Sequence, residues 1–427
     1  MTFDLSRMSA AELERVLARE GVDLTSIASD VQRIVDGVKV RGDKALTMYS
    51  RQFDGLERGR LTLSREQVRS ARRRVSEGVM RALITSKKRI ETFHSRQSLR
   101  SFEYKDRCGT FGQKVVPLRR VGVYAPGGTA KYMSSVLMSC IPARIAGVKE
   151  IALCSPGRGG AIPDEIIAAA DMCGVREIHP VGGAQSIAAM AYGTESIRPV
   201  QKIVGPGGSY VSAAKLLVRN DCEIDFLAGP SEILIIADSG AKTDAIASDM
   251  LAQLEHDPFA RAVLVTTSIK VLEESKTELC LQIEKAARNE IVSKAEKKGA
   301  IFIFAKSVDE AIRFSNQYAP EHLLIDVRRP KALLSKIENA GSVFLGPNSS
   351  VAFGDYCAGT NHILPTMGVA SMKSSLSVYD FLKVIPYQRL SAKGADILAP
   401  TVETLALSEG LPAHAAAARN RAKKVDE

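Results

Sequence analysis

Histidine is scarce in this 427-residue chain, and the six copies fall in unlike surroundings: His94, His179, His256, His322, His362 and His414. Glu321-His322 follows Ala319-Pro320 and leads into a short apolar run. A carboxylate beside an imidazole can supply two bases of different pKa. Adjacent strand residues point to opposite faces, so both can serve one site only where the backbone turns, and Pro320 suits a turn. The same two residues also fit an ordinary surface pair ahead of a strand. Gln253 and His256 lie on one face near the end of a helical stretch. That spacing suits two ligands of one metal, although glutamine is not a usual zinc ligand. It equally suits a histidine interacting with the helix dipole. Asp355 lies in Gly354-Asp355-Tyr356, within a run of small residues that reaches His362. Such a loop is a good place for a metal carboxylate. His362 is expected to hydrogen-bond the loop backbone. Taken alone, His414 reads as a surface residue, and His94 and His179 as structural.

These residues need elements to position them. The first 110 residues read as helical, with Gly42-Asp43 as a break, and Ser64 to Gln67 resembles a capping box opening a long helix toward His94. From residue 121 the pattern changes. Strands are expected over 121–124, 151–154, 177–180 and 202–204, with helices over 132–146, 163–173, 184–192 and 209–218. Further strands follow over 233–237, 262–265, 301–304, 323–325 and 343–345, with a helix over 243–255. Strands separated by single helices imply βαβ units and parallel sheets. The strand count exceeds one mononucleotide fold, so the expected class is α/β with two doubly wound, Rossmann-like domains. A separate helical arm is expected from about Ser377.

No GxGxxG follows a strand, so the usual dinucleotide fingerprint is absent. Four other glycine turns stand out: Ala125-Pro126-Gly127-Gly128, Gly182-Gly183, Gly205-Pro206-Gly207-Gly208 and Gly229-Pro230-Ser231. Each exposes backbone N–H groups that suit an anion, and as a set they are expected at strand carboxyl ends around one crevice.

Bulk properties narrow the class. Hydrophobic residues make up 45% and charged residues 25%, as in ordinary globular proteins. No run of eighteen apolar residues exists, so no membrane span is expected, and Met1 to Arg15 does not read as a secretion signal. The seven cysteines are odd in number and form no CxxC pair, as expected of reduced thiols in a cytoplasmic protein. The net charge of +10 is concentrated partly at Arg69, Arg72, Arg73, Arg74, Lys87, Lys88 and Arg89. That run reads as a solvated helix face rather than a nucleic-acid surface, with no stacking aromatics beside it.

Taken together, several strings resemble the histidinol dehydrogenase family over nearly the whole chain. They are Tyr124-Ala125-Pro126-Gly127-Gly128, Val181-Gly182-Gly183-Ala184-Gln185, Gly229-Pro230-Ser231-Glu232 and Gln253-Leu254-Glu255-His256, followed by Pro320-Glu321-His322, Gly354-Asp355-Tyr356, Asn361-His362-Ile363-Leu364-Pro365-Thr366 and Glu409-Gly410-Leu411-Pro412-Ala413-His414. The resemblance implies oxidation of L-histidinol through the aldehyde to L-histidine, with two NAD reduced. It implies one zinc ion per subunit on Gln253, His256, Asp355 and His414, with acid/base work by Glu321 and His322. Ser231, Glu409, His322 and the zinc ligands are the implied substrate contacts. Tyr124, Gln185 and the position of Gly208 are the implied NAD contacts. The family is a homodimer whose C-terminal arm reaches the partner's site, so Glu409 and His414 are implied to act across the interface.

The expected division is an N-terminal helical segment 1–22, a first α/β domain of 23–123 and 231–315, an NAD-binding domain of 124–230 and 316–375, and the helical arm 376–427. One residue departs from the family pattern. Gly208 stands where an asparagine is usual, which removes a side-chain contact to NAD. An enzyme of the same kind acting on another small amino or sulfonated alcohol is the alternative reading.

Overall fold

The computed structural model describes residues 1–19, 24–56, 60–127, 131–157, 161–227 and 229–422. Gly128 of the first glycine turn lies outside the described residues. The chain opens with a short strand, β1 (Thr2–Asp4). Helices Thr25–Arg41 and Asp43–Asp54 follow, divided at Gly42, whose φ of 53° takes the expected break. Ser64 does make a capping box with Gln67. The long helix expected there is two, Arg65–Arg74 and Glu77–His94, because Val75 leaves helical geometry and Ser76 caps a fresh start.

Next come β2 (Phe102–Lys105) and β3 (Gly109–Pro117), an antiparallel pair inside and just beyond a stretch expected to be helical. The following strands are β4 (Arg120–Tyr124), β5 (Glu150–Cys154), β6 (Glu177–His179), β7 (Lys202–Val204) and β8 (Glu223–Ile224). They form one parallel sheet in the order β6-β5-β4-β7-β8. The chain then builds β9 (Glu232–Ala237), β10 (Arg261–Thr266), β11 (Ala300–Phe304), β12 (His322–Asp326) and β13 (Ser342–Leu345). With β1 at its edge, this parallel sheet runs β1-β11-β10-β9-β12-β13. Leaving β1 aside, each sheet runs third, second, first, fourth, fifth in chain order, as in doubly wound folds. The strands are short and apolar because helices cover both faces: Ile233, Leu234, Ile235 and Ile236 of β9 are all buried, split between two core clusters.

The pairing redraws the expected domain boundaries. β12 pairs directly with β9, so residues 322–345 belong with 232–304 and not with the five-stranded sheet. Helix Thr25–Arg41 packs its Val31, Ile34, Val35 and Val38 with Ile187, Ala188 and Val211, on the five-stranded side. Sequence pattern locates strands but does not name their neighbours. The N-terminal segment is a sheet edge followed by helix Ala10–Leu17, because Thr2–Asp4 finds an open parallel edge at β11. The C-terminal arm is also not all helix. After a 3₁₀ turn, Val378–Phe381, it forms β14 (Leu382–Leu390), which pairs antiparallel with β3, and then helices Ala392–Ser408 and Pro412–Arg419. β14 accepts Pro386 because it is an edge strand.

Three arginines of the basic run are tied to neighbouring elements. Arg72 pairs with Asp171 and Arg74 with Asp164, each at 2.6 Å, while Arg89 donates to Cys357 O at 2.7 Å. Five cysteines are buried and all seven are free. Among the described residues no helix is long and apolar enough to cross a membrane.

Candidate active site

Two centres stand at the switch points of the two sheets, where the first and fourth strands of each lie side by side. The first is at the amino ends of β9 and β12. Helix Val308–Tyr318 ends at Ala319, which takes a left-handed φ of 48°. That residue supplies the backbone turn that Glu321-His322 needs, and both side chains end up buried on one site. Glu321 Oε2 accepts from Ser231 Oγ at 2.6 Å and from the Glu232 N–H at 2.8 Å. Ser231 Oγ in turn accepts from Gln253 Nε2 at 2.6 Å. Helix Thr243–Leu254, the Gly229-Pro230-Ser231 turn and the Pro320 turn therefore meet in one chain of hydrogen bonds.

His322 lies with Nδ1 at 3.0 Å from Glu232 O, which fixes Nδ1 as the protonated nitrogen of the neutral ring. Its buried Nε2 has no hydrogen-bond partner and stands 3.7 Å from Asp355 Oδ1. The two bases are coupled. Burial pushes the Glu321 carboxyl up to about 7 against the opposing pull of His322. Burial works to lower His322, but Glu321 and Asp355 outweigh it and carry the imidazole up to about 9.

Asp355 lies in helix Val351–Tyr356. Burial opposes its ionisation, but His322 and the other nearby histidines hold its pKa below the usual value. His256 follows the end of Gln253's helix, within electrostatic reach of Asp355 and His322. The surrounding protein lowers its pKa and Asp355 offsets part of that. The donors drawn to this cleft are thus a carboxamide, an imidazole and a carboxylate. His362 stands behind them as expected: its Nδ1 is 2.6 Å from Asp355 O and its Nε2 is 3.1 Å from Ser135 Oγ. Glu409 and His414 are elsewhere, exposed on the C-terminal arm. Among the described residues no three His, Cys, Asp or Glu side chains of this one chain gather to hold a metal ion.

The second centre is at the carboxyl ends of β4, β6 and β7. Three of the four glycine turns meet there. The fourth, Gly229-Pro230-Ser231, enters β9 at its amino end and belongs to the first centre, a correction to the single crevice expected. Gly205 has φ +114°, and a Cβ there would lie 2.1 Å from Tyr124 O, so glycine is required. The buried Lys215–Asp225 pair, at 2.6 Å, pins this turn: Lys215 Nζ donates to Gly205 O at 2.6 Å, and Asp225 accepts the Gly205 N–H at 2.8 Å. Buried Tyr124 accepts at its hydroxyl from the Gly183 N–H at 3.4 Å. Gln185 donates to Asp54 at 3.2 Å. Gly208 caps helix Ser209–Val218, with nothing within 4 Å of where its Cβ would be. A side chain at 208 has open space around it.

A cavity of about 550 Å³ adjoins these residues, lined by Asp30, Arg33, Tyr49, Phe53, Gln185 and Tyr210 among others. Of these only Gln185 stood out in the sequence; Asp30, Arg33, Tyr49, Phe53, Tyr210 and the nearby Asp54 did not. The signal was present in Tyr49 and Phe53, one helical turn apart, whose rings stack at 6.0 Å. An aromatic pair on a polar helix has reason to face something flat.

A sequence model of the histidinol dehydrogenase family matches residues 17–422. The histidinol dehydrogenase of Methanosarcina barkeri is 44% identical over 420 residues, covering 98% of this chain and 96% of the relative. That of Hydrogenovibrio crunogenus is 42% identical over 417 residues, covering 97% and 96%. The crystal structure of histidinol dehydrogenase from Elizabethkingia anophelis superposes with a TM-score of 0.93 at 35% identity, covering 99% of this chain and 97% of that one.

Proposed function

We propose, from the premise that this chain belongs to the histidinol dehydrogenase family, how its residues divide the work of that oxidoreductase activity in histidine biosynthesis. The substrate is L-histidinol, oxidised through L-histidinal to L-histidine. The observation that carries the assignment is the paired setting of Glu321 and His322, two buried bases held by the same short segment at β9.

Gln253, His256 and Asp355 fit a zinc ion, with His414 of the partner subunit as the fourth donor. The unpartnered Nε2 of His322 beside Asp355 marks a place prepared for charged or polar chemistry. A zinc ion held there would supply a Lewis-acidic template for the polar groups of the substrate. Tyr124, Gln185 and the Gly208 turn would hold NAD in the second centre, where it would supply the hydride acceptor for each oxidation.

His322 Nε2 takes the alcohol proton as the hydride leaves carbon. Its Nδ1–H stays bonded to Glu232 O, so only one nitrogen is available. Glu321 raises the His322 ring most and Asp355 adds to it, so a zinc ion on Asp355 would reduce only the Asp355 share of that rise. Glu321, whose carboxyl titrates near neutrality, accepts a proton from water as that water adds to the aldehyde carbon. The second hydride then leaves the hydrated aldehyde, giving the carboxylate. Ser231 orients Glu321 and is itself oriented by Gln253. Retaining the reactive aldehyde at the site between steps would keep it from side reactions.

The C-terminal arm explains why Glu409 and His414 lie outside their own chain's cleft. In a homodimer the arm of each subunit completes the other's site. The test is the purified chain with zinc, NAD and L-histidinol. NADH and histidine are expected. No turnover of histidinol beside turnover of another small amino alcohol would overturn the substrate.

A further inference from the structure

The two bases meet at one residue to which the chemistry above assigns no task. Glu232 opens β9 and is buried. Its N–H donates to Glu321 Oε2 at 2.8 Å, and its C=O lies 3.0 Å from His322 Nδ1. A single residue's backbone therefore sets the carboxylate's position and the imidazole's orientation and tautomer. The Glu232 side chain runs away from the cleft. Its Oε2 accepts from Arg19 Nε at 2.7 Å and from the Tyr318 hydroxyl at 3.0 Å. Arg19 also donates to Tyr318 O, and its guanidinium lies 4.0 Å from the centre of the Tyr318 ring. Arg261, which opens β10, stands 5.9 Å from that ring and donates to Val16 O and Ala18 O at 3.0 and 3.1 Å.

We propose that Glu232 is a positioning residue: gripped by Arg19 and Tyr318, it fixes the start of β9 so that its own backbone holds Glu321 and His322 in register. This rests on the reading of Glu321 and His322 as the bases. Tyr318 strengthens the grip. It immediately precedes the left-handed turn at Ala319 that delivers Glu321. Its hydroxyl thereby ties the start of β9 to the segment that carries both bases. A purely stabilising role is a poor account of this cluster. A buried ion pair is often no better for stability than apolar residues of similar volume. A carboxylate facing a guanidinium and a hydroxyl adds direction, which catalysis needs.

The test uses the full-length, zinc-loaded enzyme and three variants: Glu232→Gln, Tyr318→Phe and the apolar double replacement Arg19→Met/Glu232→Met. Glu232→Gln is expected to lower kcat by roughly 10- to 100-fold, the loss expected when reacting groups drift by up to about 1 Å. KM for histidinol and for NAD should stay within about threefold, because Glu232 touches neither. Tyr318→Phe should lose less. The double methionine variant should keep its melting temperature and still lose kcat. If that variant does not fold, Glu232→Gln and Tyr318→Phe decide. Wild-type kcat in Glu232→Gln, or losses that follow only the folded fraction, would overturn the proposal. Glu321→Gln and His322→Asn are assayed alongside. If those two keep full activity, the assignment of the bases falls. If they lose activity while the Glu232 variants do not, only the positioning role falls.

Discussion

The two sheets share one strand order and carry their centres at opposite ends. In the five-stranded sheet the glycine turns gather at the carboxyl ends of β4, β6 and β7, where a doubly wound fold ordinarily binds ligands. In the six-stranded sheet the ionisable cluster sits at the amino ends of β9 and β12. The construction differs accordingly. At the carboxyl ends the backbone itself faces the crevice, and buried charges such as Lys215–Asp225 sit behind it as braces. At the amino ends the side chains face the cleft, and backbone groups of Glu232 brace them. The proposed cofactor centre would need exposed N–H groups and room. The proposed proton-transfer centre would need buried bases in fixed tautomers.

The comparison breaks most sharply if the amino-end centre can be damaged without loss of turnover. His322→Asn is expected to lower kcat by about 10²- to 10⁴-fold, the range for a general base, with KM for NAD little changed. Steady-state NADH release measures this, and equal loss in NAD binding would mean that the two ends are not separate in function. Sharing across a dimer is tested by mixing chains. His414→Ala and Glu321→Ala chains are each expected to be nearly inactive. After subunit exchange, half the dimers are mixed and each holds one intact site, about a quarter of all sites. Persistent inactivity after proven exchange would mean that each chain completes its own site.

The carboxyl-end centre is sharpened by restoring a side chain at Gly208. Open space there means that Gly208→Asn should leave the melting temperature unchanged. It should tighten NAD binding by roughly 2- to 10-fold, the worth of one hydrogen bond of about 0.5–1.5 kcal/mol. A calorimetric titration with NAD measures this, and weaker binding would place NAD away from that turn. The smallest effect concerns stability. Arg120 holds Glu177 down to about 2, against burial that works to raise it, with Arg198 adding to the pull. This depressed pKa contributes stability above the unfolded carboxyl's range near 4.5, and the contribution is lost as pH falls toward 2. Glu177→Gln should therefore flatten the fall in melting temperature across that window. Partial exposure screens the pair, so the change should be modest.

Much of this was legible in the chain itself. The strand and helix alternation stood out because buried parallel strands are short apolar runs between helical periods. Residue type and spacing raised Glu321-His322, His256 and Asp355 only as candidates beside equally ordinary readings, Gln253 entered through the family resemblance, and His362 was rightly read as a backbone partner. What pattern lacked was neighbourhood. β12 lies beside β9 although nearly ninety residues separate them, and β14 finds β3 from the far end of the chain. Glu232, Arg19 and Tyr318 carry no shared motif or spacing that would link them. Only pairing across 213 residues of sequence joins the first two. Ala319 was equally silent, since nothing about alanine announces a left-handed turn.

The separate tasks of the two bases can be read most directly from NADH yield in a single turnover with limiting histidinol. The wild-type enzyme should release two NADH per substrate. Under the proposed division, with His322 serving the alcohol oxidation and Glu321 the hydration of the aldehyde, Glu321→Gln should release about one and hold the aldehyde. Two NADH at the wild-type rate from Glu321→Gln would contradict the division of labour at the amino ends of β9 and β12.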